Sequence, residues 1–375
     1  MRISRATLTD LTALSAATLS LAAPAFAQSP DPAFATFTPA SATNTNAIDY
    51  DVWDEAVKNI VISMGPSLRQ TAGRPPEGFG SRRQYGHTSR YRLEGTRVTF
   101  SFLDKTIIGN LAQYRQDLQS IADKVDLQSL SRNEQLAFWI NLHNVALVER
   151  IGEAWPVRQP RKQKIDGVMI DEDKFITVEG VALSPRDIRE KIVFANWSDP
   201  RVIYGFWRGD IGGPSIQREA FTGENVSRLL DRGARDFVNS LRGTQQQGRE
   251  LLVSTLYEEV APFFFPDFEA DLRAHLAKYA TDDVAKILAE TSRTDAVISE
   301  YDIADLAGGL REPTLSNIQD PSGRTQGFRI PRSMTALLAQ RDEKFRRIIK
   351  EGRTGTVTFS ELKLPEDEEE NAEIK

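Results

Sequence analysis

Trp207-Arg-Gly-Asp-Ile-Gly-Gly-Pro-Ser215 is the stretch whose residue types and spacing best suit chemistry. Gly205, Gly209, Gly212 and Gly213 follow a strand-like run and let successive backbone N–H groups turn toward one point. That geometry suits an anion, and Arg208 adds a planar cationic fork beside it. Trp207 offers an apolar wall and Ser215 a hydroxyl. Asp210 is the loop's carboxylate, able to act as acid, base or cation ligand. The ligand-binding set expected here is Trp207, Arg208, Gly209, Gly212, Gly213 and Ser215, joined by Trp139 and Asn144 from the long helix described below. Asp210 with Asn141 is the pair that could carry a reaction. The spacing matches neither a Walker loop nor GxGxxG, and Gln217 breaks GxSxG, so nucleotide or serine-hydrolase chemistry is not indicated. The competing expectation is a tight structural loop in which Asp210 caps a turn.

Composition narrows the classes. Cysteine is absent, which excludes disulfides, thiol nucleophiles and Cys-ligated zinc. With only three histidines a multi-histidine metal site is not expected, and neither a metal nor a cofactor is called for. A net charge of −6 argues against a general nucleic-acid binder.

The element that must position these groups is Ser131–Ile151, SRNEQLAFWINLHNVALVERI. Ser131 with Glu134 reads as a capping box and Gly152 as the stop. At about 100° per residue, Leu136, Phe138, Ile140, Val145, Val148 and Ile151 fill a broad buried arc that also takes in Glu134, Asn141 and Asn144. Arg132, Trp139, His143 and Arg150 fall on the opposite side, so the histidine is expected on the wetter face. Asn141 should then matter to stability more than His143.

Helices are further expected at Ile48–Met64, Thr106–Ala122, from Ser184-Pro185 to about Phe194, at Thr222–Leu241, Asp267–Tyr279, Thr281–Ala289 and Ser333–Ile349. Arg97–Leu103 and Asp199–Phe206 read as strands, and Lys174–Leu183 as a hairpin turning at Glu179-Gly180. The fold class is α+β: a mostly helical single domain with a small sheet and a hairpin around a buried central helix. Arg69–Arg92, with six arginines and one acid, is either an anion-facing arm or a solvated loop.

The ends look different in kind. Arg2 and Arg5, an apolar Leu11–Ala27 and the terminal Ala25-Phe26-Ala27 form a secretory leader cleaved before Gln28. Residues 1–27 are therefore expected to be a signal peptide, 28–47 a linker, 48–308 the main domain and 309–375 a polar extension. That extension closes on an acidic tail, Pro365–Lys375, too poor in apolar side chains to pack. No span for crossing a membrane is expected in the mature chain, which should be exported and periplasmic.

Four motifs carry a family resemblance. Asn133-Glu-Gln-Leu-Ala-Phe-Trp-Ile-Asn-Leu-His-Asn144, Asp173–Val178, Asp199-Pro-Arg-Val202 and Glu219-Ala-Phe-Thr-Gly-Glu-Asn225 together resemble the family catalogued as domain of unknown function 547, over roughly residues 97–308. The family pattern places a histidine where Ile203 stands, an Asn-Cys pair at Trp207-Arg208 and a second cysteine at Gly213. A thiol mechanism implied by the resemblance is closed to this chain. Two functions follow as expectations. The first is an exported binding or envelope-associated module, its partner an anionic small molecule or an envelope component. The second is a hydrolase-like enzyme with a non-thiol site around Asp210.

Overall fold

Ser131 caps the central helix, its hydroxyl accepting from the Glu134 N–H at 3.1 Å, and the helix runs Arg132–Ala154. The computed structural model describes residues 32–40, 46–73, 85–312 and 330–352. Glu134 does not close a capping box. Its carboxylate reaches outward instead, accepting from Ile48 N at 3.0 Å and Gly223 N at 2.9 Å, and so ties two distant loops to the helix start. Gly152 is not a stop either. It lets Ile108 of the neighbouring helix lie against the backbone, where an added Cβ would sit 2.2 Å from Ile108 Cδ1.

The central helix is buried on every side, not on one arc. A helix can be so only if its polar side chains find partners inside, because a buried group without one costs about 1–3 kcal/mol. Lys105–Ala122 packs along it, and Arg115 meets Glu149 through two bonds of 2.6 and 3.0 Å. Trp139, expected to face a ligand, is instead 1% exposed and set edge-on to Phe37 at 5.1 Å. Phe37 belongs to a 3-10 turn at Pro32–Phe37, so part of the expected linker docks onto the core through Phe34 and Phe37.

The fold is mostly helical α+β, about half helix, with sheets of two or three strands. The hairpin Ile176–Val178 and Val181–Leu183 turns at Glu179 (φ 48°) and Gly180 (φ 76°), two successive left-handed residues that match the twist of the strands. Ser184 and Asp187 then form a full capping box, and the helix that follows loosens into a π segment at Ile188–Val193. Val61–Ser63 pairs with Thr96–Val98, and Thr244–Gln247, Glu250–Ser254 and Arg293–Ile298 make the three-stranded sheet. Asp199–Phe206 is not a strand. Asp199 accepts from Arg201 N at 2.9 Å and Pro200 fixes the first turn of a 3-10 helix, Pro200–Gly205. The apolar side chains of this run, Val202, Ile203, Tyr204 and Phe206, are buried. Alternation could not tell the two structures apart over so short a run.

Arg332–Lys350 docks by its apolar face, where Met334 and Leu337 join Ile62, Met64 and Leu306 in a second small core. Lys344 is buried and donates to three carbonyls, those of Met64 (2.9 Å), Gly65 (3.2 Å) and Leu93 (2.6 Å); burial brings its ammonium down to about 8. This helix is part of the fold, although it falls in the stretch expected to be a polar extension. Of the Arg-rich segment, Arg69 donates to Thr244 O at 3.0 Å, at the start of a strand, and Arg92 to Gly73 O at 2.6 Å, so both hold backbone. Arg74, Arg82 and Arg83, the leader and the acidic tail lie outside the described residues.

Asp305 gives the fold a pH dependence. Fully buried, it accepts from Gly309 N at 2.8 Å and Trp155 Nε1 at 3.2 Å, yet burial pushes its carboxyl up to about 6 against those donors. A carboxyl raised on folding contributes stability that is complete below its unfolded value, about pH 4, and is lost as pH rises through its folded value, near 6. Asp305→Asn lacks that loss. Relative to wild type its unfolding free energy should gain roughly 2–3 kcal/mol between pH 4 and pH 7. Denaturant titrations of both proteins at the two pH values check this; a constant difference would mean the carboxyl is ionised throughout.

Candidate functional site

Two asparagines of the central helix clamp backbone. Asn141 donates to Phe221 O at 2.7 Å and accepts from Phe221 N at 3.0 Å, pairing with that residue as a neighbouring strand would. Asn144, one turn on, donates to Gly205 O at 2.9 Å and accepts from Trp207 N at 3.1 Å, fixing the entry to the glycine loop. Both side chains are engaged by backbone, and the groups that Asn141 bonds are those of Phe221.

His143 is not on a wet face. It is fully buried, with Phe206 edge-on at 4.9 Å. Arg189 Nη1, which can only donate, lies 3.0 Å from Nε2, so the ring proton sits on Nδ1 and is given to Asn144 Oδ1 at 3.0 Å. Burial, then the charge of Arg189, lowers the imidazole to about 3 and keeps it neutral. Helical phase failed here because the helix has no wet side.

From His143 the polar contacts continue outward. Arg189 grips Asp171 with two parallel bonds of 2.7 Å. Burial alone would raise Asp171, but Arg189, with Arg208 behind it, holds the carboxyl well below its usual range. Arg208 stands 4.0 Å from Asp171 and bonds Glu259; Arg161 meets the other Glu259 oxygen at 2.9 Å and also bonds Asp210. Gly213 N closes the series on Asp210 Oδ1 at 2.7 Å. Burial raises the Asp210 carboxyl while Arg161 and Arg208 pull it back. Arginines 161, 189 and 208 are thus interleaved with Asp171, Asp210 and Glu259. A niche of about 10 Å³, room for one water, opens among Leu147, Ile151, Pro160 and Ile170 beside Arg161 and Arg208.

The glycine loop serves mainly as a seam between backbones. Asp210 bridges to Ile303, Ile211 N donates to Asp302 O at 2.8 Å, and a Cβ on Gly212 would stand 2.4 Å from Glu300 O. Gly209 is left-handed (φ 85°) and packs on Ile151 and Pro160. Gly213 lies over Asp210, and its carbonyl accepts from Arg242 at 2.8 Å. Ser215 donates to Asp236 at 2.8 Å, and Trp207, 1% exposed, stacks on Phe100. Close approach is indeed what the glycines allow, but what approaches is the protein itself: the Glu300 backbone at Gly212 and side chains at Gly209 and Gly213. Of the expected ligand-facing set, Arg208 reaches the network at the protein surface, its side chain 11% exposed, whereas Asp210 is sealed at 0%.

Arg161, Asp171, Arg189 and Glu259 carried no sequence signal that set them apart. Arg161 sits in a basic loop, Asp171 in an acidic run, and Arg189 and Glu259 on separate helices. Among the described residues no group of three or more His, Asp or Glu is placed to hold a metal ion, and no helix is long and apolar enough to cross a membrane.

The span from the 3-10 turn before the central helix to the end of the Val226–Val238 helix holds both asparagine clamps, His143, Arg161, Asp171, Arg189, Arg208 and Asp210. This segment has a family counterpart. Residues 127–238 match the family model described as "Protein of unknown function, DUF547". The match contains the four motifs quoted above and ends before Glu259, so one partner of the network lies beyond it. Comparison with curated proteins and with solved structures returned no match. Within the matched segment Ile203 is a buried core residue, and Arg208 is a member of the charged network.

Proposed function

We propose that this protein is an exported, envelope-associated binding module that recognises an anionic group at Arg161 and Arg208. One observation carries the reading: two arginines, one from the 3-10 turn Pro160–Lys162 and one from the glycine loop, converge on the two oxygens of a single carboxylate at the protein surface. Guanidinium forks suit that task because they stay charged and present donors in a fixed plane. The small size of the niche and the closed bonding of Asp210 and His143 favour recognition over a chemical step at those groups. No observation favours the hydrolase-like alternative around Asp210. Export rests on the leader composition, and an intact mass beginning at Gln28 would support it.

The test is titration of the purified protein with acetate and with phosphate, followed by calorimetry or amide chemical shifts. Wild type should bind with affinity on the order of millimolar, as a small ion held by two forks would. Arg208→Ala should weaken it at least tenfold while near-ultraviolet circular dichroism stays unchanged. If wild type and variant respond identically to both ions, Arg208 is a structural residue and the reading is sunk.

A further inference from the structure

Glu259 occupies the seat that an outside anion would need. Resting on the anion-binding reading above, we infer that Glu259 is an internal stand-in for the ligand, and that the ligand is a small aliphatic carboxylate.

Each of its two oxygens meets a different arginine: Oε1 accepts from Arg161 and Oε2 from Arg208. The arginines are fixed from behind, Arg161 by Asp210 and by the face of Tyr301 at 5.2 Å, and Arg208 by burial beside Asp171. Glu259 is not fixed in this way. Its side chain is 38% exposed against 19% and 11% for the two arginines, and it projects from a separate helix, Thr255–Phe264. Two held donors and a half-exposed acceptor form a site whose occupant can swing out and leave the seat intact. The contact itself is weak for an ion pair, because water competes for an exposed carboxylate.

Charge and shape then set the ligand class. With Glu259 withdrawn, the arginines at 161, 189 and 208 face Asp171 and Asp210, a surplus of one positive charge; Arg186, also 3.7 Å from Asp171, is engaged more closely by Glu172 at 2.9 Å. A monoanion restores the balance and a dianion overshoots it. The seat presents one donor to each of two oxygens, the arrangement of a flat carboxylate. Beside the arginines, the niche of about 10 Å³ lined by Leu147, Ile151, Pro160 and Ile170, with room for one water, gives the seat an apolar side. Propionate is therefore the probe.

A competing internal group lowers apparent affinity by the fraction of time it holds the seat. Propionate should bind Glu259→Ala about three- to fivefold more tightly than wild type, the gain that removing a weak surface ion pair allows. The isosteric Glu259→Gln should move in the same direction and serves if the alanine variant proves unstable. Adding Arg208→Ala to either should abolish the gain, and phosphate should bind the opened seat more weakly than propionate. Equal propionate affinity in wild type and both Glu259 variants overturns the stand-in while leaving anion binding in place. Tighter phosphate than propionate overturns the ligand class. No binding of either ion to wild type or to the opened variants removes the anion-binding reading itself.

Discussion

Arg189→Met should lower the unfolding free energy by about 3–5 kcal/mol, the usual cost of removing one member of a buried ion pair. Arg189 is nearly enclosed, its side chain 3% exposed, and both of its forks are spent on Asp171. Without it Asp171, held ionised chiefly by that guanidinium against the cost of burial, keeps only Arg208 at 4.0 Å and Arg186 at 3.7 Å. His143 Nε2 loses its donor in the same step. The sign with pH is fixed by Asp171. Its folded value lies below the unfolded one, so its contribution is present above about pH 4 and is lost as pH falls below that. The deficit of the variant should therefore shrink in acid. Adding Asp171→Asn should restore part of the lost stability at neutral pH, since a neutral amide tolerates burial better than an unpaired carboxylate. Urea titrations of the three proteins decide it; a deficit below 1 kcal/mol would mean that water replaces Arg189 freely.

Asn144→Ala should cost a similar amount, about 3–5 kcal/mol, because three buried groups lose their partner together. These are the N–H of Trp207, the C=O of Gly205 and the Nδ1–H of His143. Asn141→Ala orphans two, the N–H and C=O of Phe221. His143→Ala belongs to the same group of damaging changes, since the ring is buried, bonded at both nitrogens and packed on Phe206. The contrast expected from helical phase, a large loss at Asn141 and almost none at His143, therefore gives way to substantial losses at both. Thermal melts and urea titrations of the four proteins rank them. An Asn144 variant within 0.5 kcal/mol of wild type would show that water repairs the clamp.

The two results would separate the scaffold from the site. Asn141, Asn144 and Arg189 sit behind the network and hold it in place, whereas Arg161, Arg208 and Glu259 form its outer end. Variants behind should act on stability, and variants at the outer end on binding. A protein in which Arg208→Ala proved as destabilising as Arg189→Met would have a single structural cluster and no site.

Local chemistry in the chain was enough to determine the central helix from Ser131, the hairpin at Glu179-Gly180, the capped start at Ser184-Pro185 and the helices around 106–122, 268–279 and 332–350. Each depends on groups within a few residues of one another, such as a cap, a left-handed turn or a repeating apolar stripe. The family resemblance was legible for the same reason, as runs of residues in a fixed order. Tertiary structure alone decided the burial of His143 and Trp139, because phase assigns a face only when a helix has a solvent side. It decided that Asp199–Phe206 coils instead of extending, since an apolar run of that length satisfies either form. It also decided what the glycines are for. A loop built for close approach says nothing about what approaches, and here the 300–305 backbone pairs with the loop while side chains of the protein fill the rest of the space. The pairing of Arg161 and Arg208 on Glu259 was least visible of all. Residues 98 and 51 positions apart in the chain meet only through packing, and charged side chains announce no partner in a sequence.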